Sequence, residues 1–166
     1  MIKITLPDNS VREFESGISG YDIAESISSR LAKDVLSISV DGEVWDLSRP
    51  ISKDARIKLF LWDDREGKET FWHSSAHLMA EAIEFFYPGT KFGIGPTVDN
   101  GFYYDIDLPE GQQLSEKELE KIEKKIIELA REKHDIVRKD ISKEDALKMF
   151  SAKGDNLKEE LISELA

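Results

Sequence analysis

"IKITLPDNSVREFE", residues 2–15, alternates apolar and polar side chains on either side of a Pro-Asp-Asn-Ser turn. Period-two alternation interrupted by turn-forming residues predicts a β-hairpin with one buried face. The period then changes. In "SGYDIAESISSRLAKD" (19–34), Ile23, Ile27 and Leu31 recur at helical spacing, and Ser19 stands three residues before Asp22 in a capping arrangement. "VLSISV" (35–40), the turn "DG" (41–42) and "EVWDL" (43–47) predict a second hairpin. "RIKLFLW" (56–62) closes the region as a buried strand. Strand, strand, helix, strand, strand, strand suits a small sheet wrapped around one helix. Residues 1–62 are therefore expected to form a β-grasp (ubiquitin-like) domain.

"DDREGKE" (63–69) is polar and charged with one glycine, and is expected to be a linker. Residues 70–166 then predict a second domain, of α+β class. Thr70 is a possible cap for a helix running to Phe86, and "YPG" (87–89) ends it, because a proline disfavours helix in the residue before it. In "KFGIGPTVDNGFYYDID" (91–107), Asn100-Gly101 between apolar runs predicts a hairpin turn with both residues at positive φ. "LSEKELEKIEKKIIELAREK" (114–133) carries a capping box, Ser115 and Glu118, staple positions at Leu114 and Leu119, and an apolar stripe of Leu119, Ile122, Ile126 and Leu129. "SKED" (142–145) starts a short helix. Asp155 starts a last one, with Leu157, Leu161, Ile162 and Leu165 on its apolar side. That pattern reaches residue 166 without a stop signal, so the domain is expected to continue beyond it.

The composition, 40% hydrophobic and 34% charged, is that of an ordinary globular protein. No apolar run approaches the roughly 18 residues of a membrane span. The first residues lack the basic-then-apolar layout of a signal peptide. The expected location is the cytoplasm, with no membrane partner. The absence of cysteine excludes disulfides and thiolate metal ligands within these residues. The net charge of −11 is uneven: residues 1–62 carry 8 basic and 10 acidic side chains, the remainder 15 and 24. Counterion release rewards clustered Lys and Arg, so a generic nucleic-acid binder is excluded and any such contact must be local.

The chemistry concentrates at "HSSAH", residues 73–77, which holds two of the three histidines. Positions i and i+4 share a helix face, a spacing that can bring two imidazoles to one ion. Zinc proteases use it as H-E-x-x-H, but here Ser74 occupies the position of the glutamate base. A zinc site needs four ligands, or three and a water. His73, His77 and a distant His134 do not complete one, so the pair is at most half a metal site. Two packed, hydrogen-bonded histidines beside Phe71, Trp72 and Met79 are the plainer reading. Gly93, Gly95 and Gly101 lack the G-x-G-x-x-G spacing and a following helix, and suit backbone turns and close approach. Alternatively, Asp99, Asn100 and Tyr104 face a ligand beside the histidines. Lys158 stands in the first turn of the last helix, where a cation opposes the helix dipole. It is either a solvated lysine or a cation aimed at a phosphate or ribose oxygen.

"HSSAHLMAEAI" (73–83), "FGIGPTVDNGFYYDIDL" (92–108) and the spacing between them resemble the amino-terminal half of threonyl-tRNA synthetases. Residues 1–62 resemble the TGS domain of those enzymes, and residues 70–166 their editing, or second additional, domain. The resemblance covers essentially the whole chain. It implies hydrolysis of mischarged Ser-tRNA(Thr), with His73, His77 and Lys158 in the catalytic group and Asp99, Asn100, Gly101 and Tyr104 lining the substrate. In that family a later C-x-x-x-H completes the pocket, so residues 1–166 alone are expected to be inactive and to hold no cofactor. Aminoacylation, with ATP, magnesium and zinc, and homodimerisation are implied for further domains. The partner implied here is the acceptor end of tRNA(Thr). The competing expectations are a TGS-type module that binds RNA or a regulatory partner without hydrolysis, and a small metalloprotein.

Overall fold

The computed structural model describes residues 1–134 and 136–165. The chain forms two compact units, Met1–Trp72 and His73–Ala166.

In the first unit, β1 (Ile2–Thr5) and β2 (Val11–Phe14) pair antiparallel, Ile4 opposite Arg12. Two helices follow, α1 (Gly20–Ile27) and α2 (Ser29–Asp34). β3 (Ser37–Val40) and β4 (Glu43–Trp45) form the second hairpin. β5 (Ala55–Phe60) inserts at the centre, parallel to β1 and antiparallel to β3, so the sheet order is β2-β1-β5-β3-β4. This is the expected β-grasp. The alternation in β1 buries Ile2 and Ile4, which meet Ile23 from α1, Ile38 and Val40 from β3 and Ile57 from β5. Each fully buried isoleucine contributes about 1.5–3 kcal/mol. Asp41 (φ 52°) and Gly42 (φ 92°) make the two-residue turn with both residues left-handed, as a tight right-twisted hairpin requires.

The structure breaks the helix expected across residues 19–34. Ser19 and Asp22 form the capping box of α1, but Ser28 is extended (φ −167°). Its hydroxyl accepts from the Arg30 and Leu31 amides and starts α2. Capping by serine competes with helix continuation, so Ser28 ends one helix and begins the next. Ile27, expected at helical spacing with Ile23 and Leu31, is exposed at the end of α1.

The helix after β5 starts earlier than expected. α3 spans Arg65–Phe86, so residues 65–69 of the expected linker are its first turn. Thr70 is not a cap: it lies inside α3 and its hydroxyl donates to the Glu66 carbonyl. Asp64 performs that task at the backbone, its carbonyl accepting from Lys68 N–H. Its carboxylate accepts from Leu61 N–H and pairs with Lys58 at 2.7 Å. Gly67 is required here, since a Cβ on it would lie 2.1 Å from the Leu61 carbonyl oxygen.

In the second unit, α3 ends at the "YPG" turn and an irregular hairpin follows. β6 (Lys91–Phe92) pairs with β9 (Ile106–Asp107), and β7 (Thr97–Val98) with β8 (Gly101–Phe102). The turn is Asp99-Asn100, not Asn100-Gly101. Val98 faces Gly101 across the ladder, and neither Asp99 nor Asn100 has positive φ. Three helices complete the unit: α4 (Glu116–Glu132), α5 (Lys143–Lys153) and α6 (Asn156–Glu164). Ala82 and Ile83 of α3, Phe92 of β6, and Ile122 and Leu129 of α4 form its core, with Ile126 packed against them. The expected stripe on α4 is shorter than the sequence pattern, because Leu119 is 52% exposed. Leu165 lies beyond α6 and is also exposed. Among the described residues no helix is long and apolar enough to cross a membrane.

Candidate functional site

His73 and His77 project from one turn of α3, and their Nε2 atoms meet at 3.1 Å. At that separation one nitrogen donates and the other accepts, so the pair holds a single proton between them and at least one ring is neutral. Placing two positive rings edge to face at 4.7 Å would be costly. The His77 pKa is lowered below the usual imidazole value by partial burial, then by His73, then by the Lys158 charge. The residue as a whole remains solvent-exposed. A neutral imidazole near pH 7 is the form that accepts a proton.

Lys158 is brought to this site by α6. Its own amide donates to Asp155 Oδ1 at 3.1 Å in the N-cap, and its Nζ donates to the Gly93 carbonyl at 2.9 Å. The Asp155 carboxylate and the Gly93 carbonyl offset the cost of a cation near a helix N-terminus. One ammonium N–H is spent on Gly93, leaving two donors for a ligand oxygen.

Tyr104 lies beside Lys158 and Phe92. Lys158 Nζ lies 5.9 Å from its ring centroid, and Phe92 packs against it at 5.4 Å. Burial, then the Asp155 charge, raises its pKa, so the phenol stays protonated and can donate. A Cβ on Gly95 would stand 2.9 Å from the Tyr104 ring, so this glycine is a close-approach position. His73, His77, Lys158 and Tyr104, which the sequence singles out separately, thus fall in one part of the second unit.

Asp99 and Asn100 are not joined to them. Both are exposed at the hairpin tip, and no hydrogen bond or ring contact among the described residues links them to the imidazoles. Gly101 is the strand residue after the turn. His134 lies at the far end of α4, 3.2 Å from Glu132. Among the described residues no three His, Asp or Glu side chains gather in a way that could hold a metal ion. Sequence reasoning missed Asp155 as the charge beside Tyr104, and missed the Gly93 carbonyl as the seat of Lys158. It also missed Lys91 Nζ, which donates to Asn156 Oδ1 at 2.8 Å. Asp155 is recognisable as a helix cap. The two lysine contacts each span 65 residues and leave no local signal.

Comparison with known proteins agrees with the fold. The TGS domain family matches residues 2–61. Threonine–tRNA ligase of Porphyromonas gingivalis (strain ATCC 33277) is 61% identical over 166 residues, 100% of this chain and 25% of the relative. That of Parabacteroides distasonis is 61% identical over 165 residues, 99% of this chain and 25% of the relative. That of Cytophaga hutchinsonii is 54% identical over 166 residues, 100% of this chain and 26% of the relative. The chain spans about a quarter of the length of these curated relatives. It is related throughout to that quarter of the threonine–tRNA ligases, with a TGS domain at residues 2–61.

Proposed function

We propose that this chain supplies tRNA contact and one face of a proofreading pocket that hydrolyses the seryl ester of mischarged threonine tRNA. Within this reading residues 1–62 are the TGS domain and residues 70–166 belong to the editing domain. The observation that carries it is the meeting of the two imidazole Nε2 atoms at 3.1 Å, with the Lys158 charge felt at His77. The names of the relatives, which join threonine to tRNA, supply the substrate class.

A ligase for threonine has a physical need for such a site. Serine lacks one methyl group, and a missing methyl(ene) is worth only about 1–3 kcal/mol of discrimination. A second pocket that destroys the wrong product supplies the rest. Water attacks the seryl carbonyl, a tetrahedral oxyanion forms, and collapse expels the ribose hydroxyl with its proton restored. The reaction needs a proton acceptor, which neutral His77 with His73 behind it can provide to water or to the terminal ribose hydroxyl. It also needs donors for the developing oxyanion. The two free N–H groups of Lys158 and the Tyr104 phenol are of the right kind.

Aminoacylation with ATP and magnesium, the zinc of that reaction, and homodimerisation are assigned in this reading to the three quarters of the relatives' length that the chain does not cover. The test is a time course of Ser-tRNA(Thr) hydrolysis by the protein at the full length of its relatives and by residues 1–166. Fast hydrolysis by the long protein and none by the short one is expected. No hydrolysis by the long protein contradicts the proposal.

A further inference from the structure

We propose that Lys91 and Asn156 are positioning residues: their hydrogen bond clasps the first turn of α6 to β6, and so holds the Lys158 ammonium at the Gly93 carbonyl. The inference rests on the reading of Lys158 given above.

Two links join the same two short segments. Lys91 donates to Asn156 at 2.8 Å, and Lys158 donates to the Gly93 carbonyl at 2.9 Å. Lys91 stands in β6 and Gly93 directly follows that strand, so the two acceptor and donor positions lie within three residues of chain. Residues 156 and 158 lie in one helical turn. Between Lys91 and Gly93, Phe92 is buried in the core. Gly93 is fixed on its amide side, where its N–H donates to the Asp105 carbonyl at 2.8 Å. The β6 side of the clasp is therefore anchored by core packing and by its ladder to β9.

The α6 side is not. No residue of α6 is fully buried, and none of α5, against which it packs, is either. Leu157, Leu161 and Ile162 of α6 are only half-buried, so its polar contacts to β6 contribute to its placement alongside them. Lysine is a flexible four-carbon stem that does not orient itself. The position of its ammonium is inherited from the helix turn that bears it, and the Lys91–Asn156 bond sits two residues before it on that turn.

The experiment uses Lys91→Met and Asn156→Ala, their combination, and Lys91→Arg, which keeps a donor. In residues 1–166, acetylation of Lys158 by acetic anhydride is followed by mass spectrometry. Loss of the clasp is expected to speed it severalfold in Lys91→Met and Asn156→Ala, with the double variant no faster than either single and Lys91→Arg near the starting rate. In the protein at the full length of its relatives, the same variants are expected to lower kcat for Ser-tRNA(Thr) hydrolysis by about tenfold to a hundredfold, as misplacement of a reacting group does, with KM little changed. Unchanged Lys158 acetylation, or additive effects in the double variant, overturns the inference. So does faster acetylation with unaltered kcat when Lys158→Met itself abolishes hydrolysis. Failure of the editing reading shows separately, as full hydrolysis by Lys158→Met with the clasp intact.

Discussion

His73 and His77 present their Nε2 atoms to each other at 3.1 Å across one turn of α3. The contact limits the pair to one proton between the facing nitrogens, and the nearby Lys158 charge separately disfavours protonation of His77.

The arrangement predicts a titration. His77 is depressed by burial first, then by His73 and by Lys158. Its midpoint, followed by NMR of the ring protons, is expected below the ordinary value of about 6.5. Lys158→Met is expected to move it upward, because a cation that disfavours imidazolium has been removed. A midpoint unmoved by that substitution would show that the lysine charge is not felt at the ring.

The same shift has a consequence for stability. Above about pH 6.5, His77 is neutral in both folded and unfolded chains and contributes no pH dependence. As pH falls through that value the unfolded chain binds a proton that the folded one refuses, so stability falls until the folded midpoint is passed. Denaturant melts of residues 1–166 between pH 7.5 and pH 5 are expected to show this loss, and His77→Gln is expected to remove its share of the slope.

Gly95→Ala tests the close approach of this glycine to Tyr104. The new methyl would stand 2.9 Å from the Tyr104 ring, which Phe92 backs at 5.4 Å. Overpacking of this kind costs about 1–3 kcal/mol. The expected signature is a lower denaturation midpoint, with displaced Tyr104 ring resonances and slower hydrolysis in the long protein.

Gly67→Ala separates helix propensity from packing. Alanine favours a helix interior over glycine by about 1 kcal/mol, yet here its Cβ would meet the Leu61 carbonyl oxygen at 2.1 Å. A backbone atom cannot swing aside as a side-chain tip can, so the net effect is expected to be destabilising by about 1–3 kcal/mol. Thermal denaturation of the variant gives the sign, and a stabilised protein would refute the close approach.

Much of this architecture could be read from local pattern. The alternation of Ile2 and Ile4, the left-handed pair Asp41-Gly42, the Ser19–Asp22 and Ser115–Glu118 boxes and the i, i+4 histidines each depend on residues within a few positions. Where the pattern misled, a neighbour decided. Ser28 caps its own helix instead of continuing the previous one. The polar run 65–69 resembles a loop by composition, but Asp64 opens a helix there and Arg65 pairs with Glu69 at 2.7 Å along it. The hairpin turn sits one residue before the Asn-Gly dipeptide because the ladder register pairs Val98 with Gly101. The meeting of Lys158 with Gly93 was illegible for a different reason: it joins residues 65 apart, and no periodicity encodes it. The grouping of His73, His77 and Lys158 is implied by the likeness to threonyl-tRNA synthetases and by no local pattern.

The most direct measurement is hydrolysis of Ser-tRNA(Thr) by the protein at the full length of its relatives, with and without His73→Ala and His77→Ala combined. Proton transfer by a positioned side chain contributes typically about a hundredfold to ten-thousandfold. The account predicts a loss of that order, with formation of Thr-tRNA(Thr) unaffected. Hydrolysis at the unsubstituted rate by the double variant would contradict it.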